Sequence, residues 1–137
     1  MNPAFLAIAL LAALASIAAS DCERARPPSA ERTIEIAYSK FEPPFVTVPA
    51  GVPVTFVLRN DDPIEHEWIV GTDDVHARHR TGTEPYHDKV ATEVTLPAFS
   101  ERTTTVTFEE AGEYHYICHL PGHEGYGMTG VVRVVGD

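Results

Sequence analysis

From Thr33 onward, apolar and polar residues alternate in short runs with a period of two, the pattern of half-buried β-strands. Ile34, Ile36 and Tyr38 alternate with Thr33, Glu35 and Ala37, and Phe45, Val46 and Val48 follow Pro43-Pro44. Val52, Val54, Phe56 and Leu58 run into the turn cluster Arg59-Asn60-Asp61-Asp62-Pro63. His66-Glu67-Trp68-Ile69-Val70 is a further apolar-rich run, closed by Gly71; residues 94–96, 103–108, 114–118 and 131–135 follow the same habit. No segment here keeps a helical period over three turns. Short strands at this spacing, roughly seven to eight of them, predict an all-β fold, a Greek-key β-sandwich. Residues 71–90 depart from the pattern: they are polar and hold His76, His79 and His87 among Asp73, Asp74, Arg78 and Arg80. Connections of that length are uncommon unless they serve a function, and this one has room for a short helix.

The N-terminus follows a different rule. Residues 1–20 contain no charged side chain, and positions 4–19 are apolar except for Ser16, ending on the small residues Ala18, Ala19 and Ser20. This is the form of a secretory signal peptide. An uncleaved anchor is the alternative, although the run is shorter than the about 20 apolar residues that span a bilayer. Residues 21–32 are charged, contain Pro27-Pro28 and lack apolar periodicity, so they read as a flexible linker. Asp21 precedes Cys22 where a lipoprotein signal would place a small residue. The expected organisation is a signal segment over 1–20, a linker over 21–32 and one folded domain over 33–137. Export to the periplasm or beyond follows, with the membrane touched only through an uncleaved or lipidated N-terminus.

Charge and cysteine count narrow the chemistry. Asp and Glu number 20 against 10 Lys and Arg, a formal charge of −10 that falls wholly beyond Ser20. That excess excludes nucleic acid, which needs clustered Lys and Arg against its phosphates. Two cysteines exclude both a disulfide-dense scaffold and a four-cysteine zinc site.

The residues between Tyr114 and Met128 carry the chemistry. Cys118, His123 and Met128 stand in a Cys-x4-His-x4-Met spacing, and Met128 is the only methionine beyond the leader. Strand alternation puts Tyr114, Tyr116 and Cys118 on one face, so the cysteine ends a strand while pointing inward. Pro121-Gly122 then turns the chain back, aiming a thiolate, an imidazole and a thioether at one point. Thiolate and thioether are soft ligands suited to copper(I), and imidazole accepts both copper states. A trigonal site of this type needs a second imidazole from a distant strand; His66, which opens the run containing Trp68, is the best candidate. His119 follows the cysteine directly, so alternation turns it away from the metal and it reads as a surface residue. His76, His79 and His87 make a second candidate metal site, helped by Asp73 or Asp74.

With these residues in place, the chain from about Ile34 to Val135 resembles the cupredoxins, the plastocyanin/azurin family of type 1 blue copper proteins. The resemblance rests on Pro49-Ala50-Gly51 within residues 45–54, on the segment from Asn60 to His66, and on the Cys118–Met128 loop. It implies a cupredoxin-like sandwich holding one copper, with His66, Cys118 and His123 equatorial and Met128 axial. Plastocyanins and azurins usually have Asn after the first ligand histidine; here Glu67 stands there, and its backbone N–H remains able to donate to the Cys118 sulfur. The implied function is single-electron transfer, with His123 as the electron port and a redox protein such as a c-type cytochrome or an oxidase as partner to a monomer. The alternative is an extracytoplasmic carrier in copper homeostasis. An enzyme is not expected, because oxidases that send electrons to further copper centres need His-x-His pairs and the chain has none.

Overall fold

The period-two pattern folds into nine strands and two short helices in a computed structural model that describes residues 29–82 and 89–136. In chain order the strands are β1 (Ala30–Ala37), β2 (Lys40–Glu42), β3 (Phe45–Pro49), β4 (Pro53–Asn60), β5 (His66–Gly71), β6 (Glu93–Leu96), β7 (Glu101–Thr107), β8 (Gly112–Ile117) and β9 (Thr129–Val135). The helices are α1 (Asp73–Arg80) and α2 (His123–Tyr126). One sheet has the order β2-β1-β4-β7 and the other β3-β9-β8-β5-β6. Neighbours are antiparallel except β1 on β4 in the first sheet and β3 on β9 in the second. The expected sandwich is present, with the three-residue edge strand β2 as the addition. The signal segment, Cys22 and His87 lie outside the described residues.

One boundary differs from expectation. β1 opens at Ala30, so residues 30–32, expected in the linker, are strand: Ala30, Glu31 and Arg32 pair in parallel with Val54, Thr55 and Phe56. Their pairing runs through the backbone and needs no apolar period, so the pattern could not reveal it. Within residues 71–90 the short helix is real. Asp73 and Asp74 occupy the first turn of α1 and Arg78, His79 and Arg80 its last, each complementing the helix dipole. Among the described residues no helix is long and apolar enough to cross a membrane.

β4 shows how the core is made. Val54, Phe56, Leu58 and Asn60 are buried while the residues between them are not. They meet Ile34 and Ile36 from β1, Trp68 from β5, Tyr116 from β8 and Val132 and Val134 from β9. Full burial of one such aliphatic or aromatic side chain contributes about 1.5–3 kcal/mol. β5 breaks the alternation, for every residue from His66 to Val70 is buried. Its outer face is covered by α1, which packs so close that a Cβ on Gly71 would stand 2.8 Å from Val75 side-chain carbons. A strand buried on both faces is a rigid place from which to project a ligand.

Gly130 is a second tight point. A Cβ there would fall 2.2 Å from the ring of Tyr116. That ring is itself pinned, its hydroxyl donating to the Pro43 carbonyl at 2.7 Å and its edge meeting Phe41 at 5.1 Å. Gly130→Ala must displace the ring or separate β8 from β9. A loss of about 1–3 kcal/mol is expected, read as a lower denaturant midpoint; unchanged stability would show that the ring moves freely.

Candidate metal centre

The centre is assembled from the loop before β5 and the loop after β8. Asn60 ends β4 fully buried, its side-chain NH2 lying 2.8, 3.1 and 2.9 Å from the carbonyls of Ile64, Leu96 and Pro97. Its side-chain oxygen accepts the Asp62 N–H at 3.0 Å. The loop 61–65 is therefore stapled to the end of β6. Asp62 in turn accepts the N–H groups of Tyr38 and Ser39, each at 2.7 Å, and lies 2.9 Å from His66 Nε2. Burial alone would raise the Asp62 carboxyl, but the N–H groups of Ser39 and Tyr38 and the His66 ring outweigh it and hold it below the ordinary carboxylate range.

With Nε2 tied to Asp62, His66 presents Nδ1 to the centre, 3.2 Å from Nδ1 of His123. Cys118 Sγ lies 3.3 Å from the same His123 nitrogen. The backbone N–H of Glu67 donates to that sulfur at 3.4 Å, as expected from its place after His66. One donor atom from each of His66, Cys118 and His123 lies within 4.8 Å of the others. His66 and Cys118 are fully buried; His123 is half-buried and forms the edge toward solvent.

The turn that carries His123 is held by its backbone. Cys118 N–H donates to Met128 O at 3.2 Å, Met128 N–H to His123 O at 3.0 Å, and His123 N–H to Leu120 O at 3.0 Å. Gly122 and Gly127, with φ of 84° and 95°, bracket α2 in the left-handed region that glycine tolerates best. Met128 is fully buried at the end of this turn, its backbone bonded to those of Cys118 and His123.

Burial pushes the Cys118 thiol up, against the opposing N–H groups of Glu67 and Leu120. It also lowers His66, with Asp62 acting in the other direction. Neutral imidazoles are ready ligands, and the thiol needs a cation to release its proton. One thiolate and two imidazoles, with the His123 nitrogen 3.2 and 3.3 Å from the other two donors and all three within 4.8 Å, fit three ligands about 2 Å from one ion.

Three further described histidines, His76, His79 and His119, come together. His76, on α1, has Nδ1 2.9 Å from His119 Nε2 and Nε2 3.1 Å from the His115 carbonyl. His79 stacks on His119 at 5.4 Å and 17° and donates from Nδ1 to the Val75 carbonyl at 2.8 Å. His119 Nδ1 lies 3.7 Å from Glu124 Oε2, and Arg80 clasps Glu124 at 2.6–3.0 Å. Burial lowers His76, and burial followed by repulsion from His76 lowers His119 to about 4. The Arg80 hydrogen bond lowers Glu124. Of the expected His76, His79 and His87 grouping, the first two meet, and their described neighbour is His119. Alternation does turn His119 away from the centre, but its side chain is only 5% exposed because α1 covers it; the surface reading is corrected. The sequence reading also missed Asp62. Its signals were the i, i+4 spacing to His66 and, for the second group, the i, i+3 spacing of His76 and His79 on one helix.

Comparison with known proteins gives the same answer. Residues 29–135 match the family of copper binding proteins, plastocyanin/azurin family. The copper-resistant cuproprotein CopI of Rubrivivax gelatinosus is 32% identical over 111 residues, covering 77% of this chain and 67% of its own. The protein of that name from Pseudomonas aeruginosa is 26% identical over 145 residues, covering 80% of each. Among solved structures, reduced auracyanin from Roseiflexus castenholzii superposes with a TM-score of 0.65 at 22% identity, over 78% of this chain and 96% of its own. The fold is that of a cupredoxin, and the His-Cys-His cluster fits a single copper ion. With 107 consecutive positions matched, spanning both sheets and the cluster, the chain belongs to the plastocyanin/azurin family of copper binding proteins.

Proposed function

We propose that the protein is an exported type 1 copper protein that passes single electrons, with His66, Cys118 and His123 as equatorial ligands and Met128 as the axial one. The observation that carries this reading is that each donor is fixed from behind: His66 by Asp62, Cys118 by the Glu67 N–H, His123 by the turn backbone. Copper supplies the one-electron couple; the chain's part is to hold the same ligand positions in both oxidation states, so that little rearranges on transfer. His123, the half-buried ligand, is the port through which electrons enter and leave. Tyr126, on α2 with His123, and Tyr38, Ile64 and Phe99, on the loops around Asp62, are exposed apolar side chains. A basic c-type cytochrome or an oxidase is the partner suited to them and to the acidic surface. The uncharged leader supports a periplasmic or extracellular place of action.

A second reading, copper tolerance by capture or delivery of the metal, is favoured by the two relatives named as copper-resistant cuproproteins. Repeated one-electron cycling of the copper-loaded full chain against a c-type cytochrome, with a copper(I) chelator present, separates the two. Electron transfer predicts sustained cycling with the copper retained; transfer of the metal to the chelator within a few cycles supports the carrier reading instead.

A further inference from the structure

We infer that Lys40 and Arg80 are positioning residues for His123. They form a two-sided clamp on the ligand turn that keeps the imidazole in one place through a change of oxidation state, a role that rests on the reading of His123 as a copper ligand. The need for a clamp follows from what holds each imidazole. His66 is fully buried and tied through Nε2 to Asp62. His123 is half-buried, and among the described residues its ring is within hydrogen-bond distance only of the other two donors, His66 and Cys118. Its position is therefore set by its backbone, which belongs to a four-residue helix between two glycines in the left-handed region. A single helical turn is not stable by itself, and Gly122 and Gly127 give its two ends wide conformational freedom.

Two cations grip this helix, one from each layer of the sandwich. Arg80, the last residue of α1, donates to both carboxylate oxygens of Glu124, the residue after His123: Nε lies 3.0 Å from each and Nη2 2.6 Å from Oε1. Such a planar, two-point contact fixes direction as well as distance. Lys40, the first residue of β2, donates from Nζ to the Tyr126 carbonyl, and its ammonium lies 4.1 Å from the centre of the Tyr126 ring. Gly127 leaves room for that ammonium, since a Cβ there would stand 2.9 Å from Lys40 Nζ. Both supports are themselves fixed. His76 donates from Nε2 to the His115 carbonyl at 3.1 Å and accepts the His119 Nε2–H at Nδ1, 2.9 Å away. The histidines thus fasten α1, and with it Arg80, to β8 and to the residue after Cys118. On the other side Asp62 accepts from Tyr38 and Ser39, the turn just before Lys40, while it holds His66. The ring of His66 and the turn of His123 therefore share an anchor.

The test opens the clamp in the full chain. The Arg80→Gln, Glu124→Gln pair removes one grip at unchanged net charge. Lys40→Gln removes the other, and Arg102→Gln, on β7, removes an equal charge as its control. In the metal-free protein, hydrogen exchange of the Tyr126, Gly127 and Met128 amides, which close the turn, is expected to quicken about two- to five-fold per grip, with the β4 amides unchanged. Added salt is expected to quicken the same amides in the parent and not in the chain lacking both grips. In the copper-loaded protein, electron self-exchange, read from nuclear magnetic resonance line widths of mixed oxidation states, is expected to slow by a similar factor with the thiolate absorption retained. Drift of the His123 ring adds rearrangement to each transfer, which a residue that merely supports the fold would not do. Rates equal to the parent's, a turn that loosens without slowing self-exchange, or a slowing matched by Arg102→Gln overturns the proposal. A parent that develops no thiolate absorption contradicts the reading of His123 as a copper ligand instead, and the metal-free amides still decide whether the two cations hold the turn.

Discussion

Replacing Cys118 by serine is expected to abolish the thiolate-to-copper(II) absorption entirely and to leave the fold standing. The thiol is fully buried and supplies the only sulfur donor in the His66–Cys118–His123 cluster, so no neighbour can replace it. A hydroxyl is a poor ligand for copper(I), so the variant should lose the reduced state's affinity more than the oxidised state's. The Glu67 N–H that faces Sγ retains an acceptor in the serine oxygen, and stability should fall by no more than about 1–3 kcal/mol. Absorption and denaturant titration on the same sample measure both effects. Retention of an intense absorption in Cys118→Ser would place copper elsewhere.

Asp62→Asn is expected to raise the reduction potential. Asp62 is the only described side chain bonded to His66 Nε2, and its negative charge makes the imidazole a better donor to copper(II) than to copper(I). Loss of such a partner lowers metal affinity about 10–100-fold. Each tenfold loss confined to copper(II) raises the one-electron potential by about 59 mV. The same change weakens the clamp on Tyr38 and Ser39, both of which sit at positive φ and depend on Asp62 as acceptor, so stability falls as well. The exposed neighbour Asp61 provides the control, since Asp61→Asn removes an equal charge without touching the ligand. A potential that moves equally in both variants would reduce the effect to general electrostatics; one that moves in neither would leave Asp62 a purely structural clamp.

The parts of the fold that follow from side-chain alternation were legible. Val54, Phe56 and Leu58 on β4, and Trp68 on β5, are buried as their spacing required. The C-terminal turn was equally legible, because Cys118, His123 and Met128 lie within one loop whose glycines and proline declare its reversal. His66 had to be inferred from the strand it opens, and the structure brings it to Cys118 across the sheet. What the pattern could not show depends on backbone pairing or on contacts between distant segments. Residues 30–32 join β1 through the main chain of β4, and Asp62 reaches the 38–39 turn only because Asn60 folds the loop back. His119 was misjudged for a related reason: alternation gave the direction of its side chain correctly but could not foresee that α1 would cover that face.

The central claim is that one copper sits between Cys118 and the two histidines and changes oxidation state without leaving. The measurement that bears on it most directly is an optical spectrum of the full chain loaded with one equivalent of copper(II), followed through reduction and reoxidation. The account predicts an intense thiolate-to-copper(II) absorption that vanishes on one-electron reduction and returns in full on reoxidation, with the copper content unchanged. Weak absorption of copper bound only by nitrogen and oxygen, or a band that fails to return because the metal is lost, would contradict it.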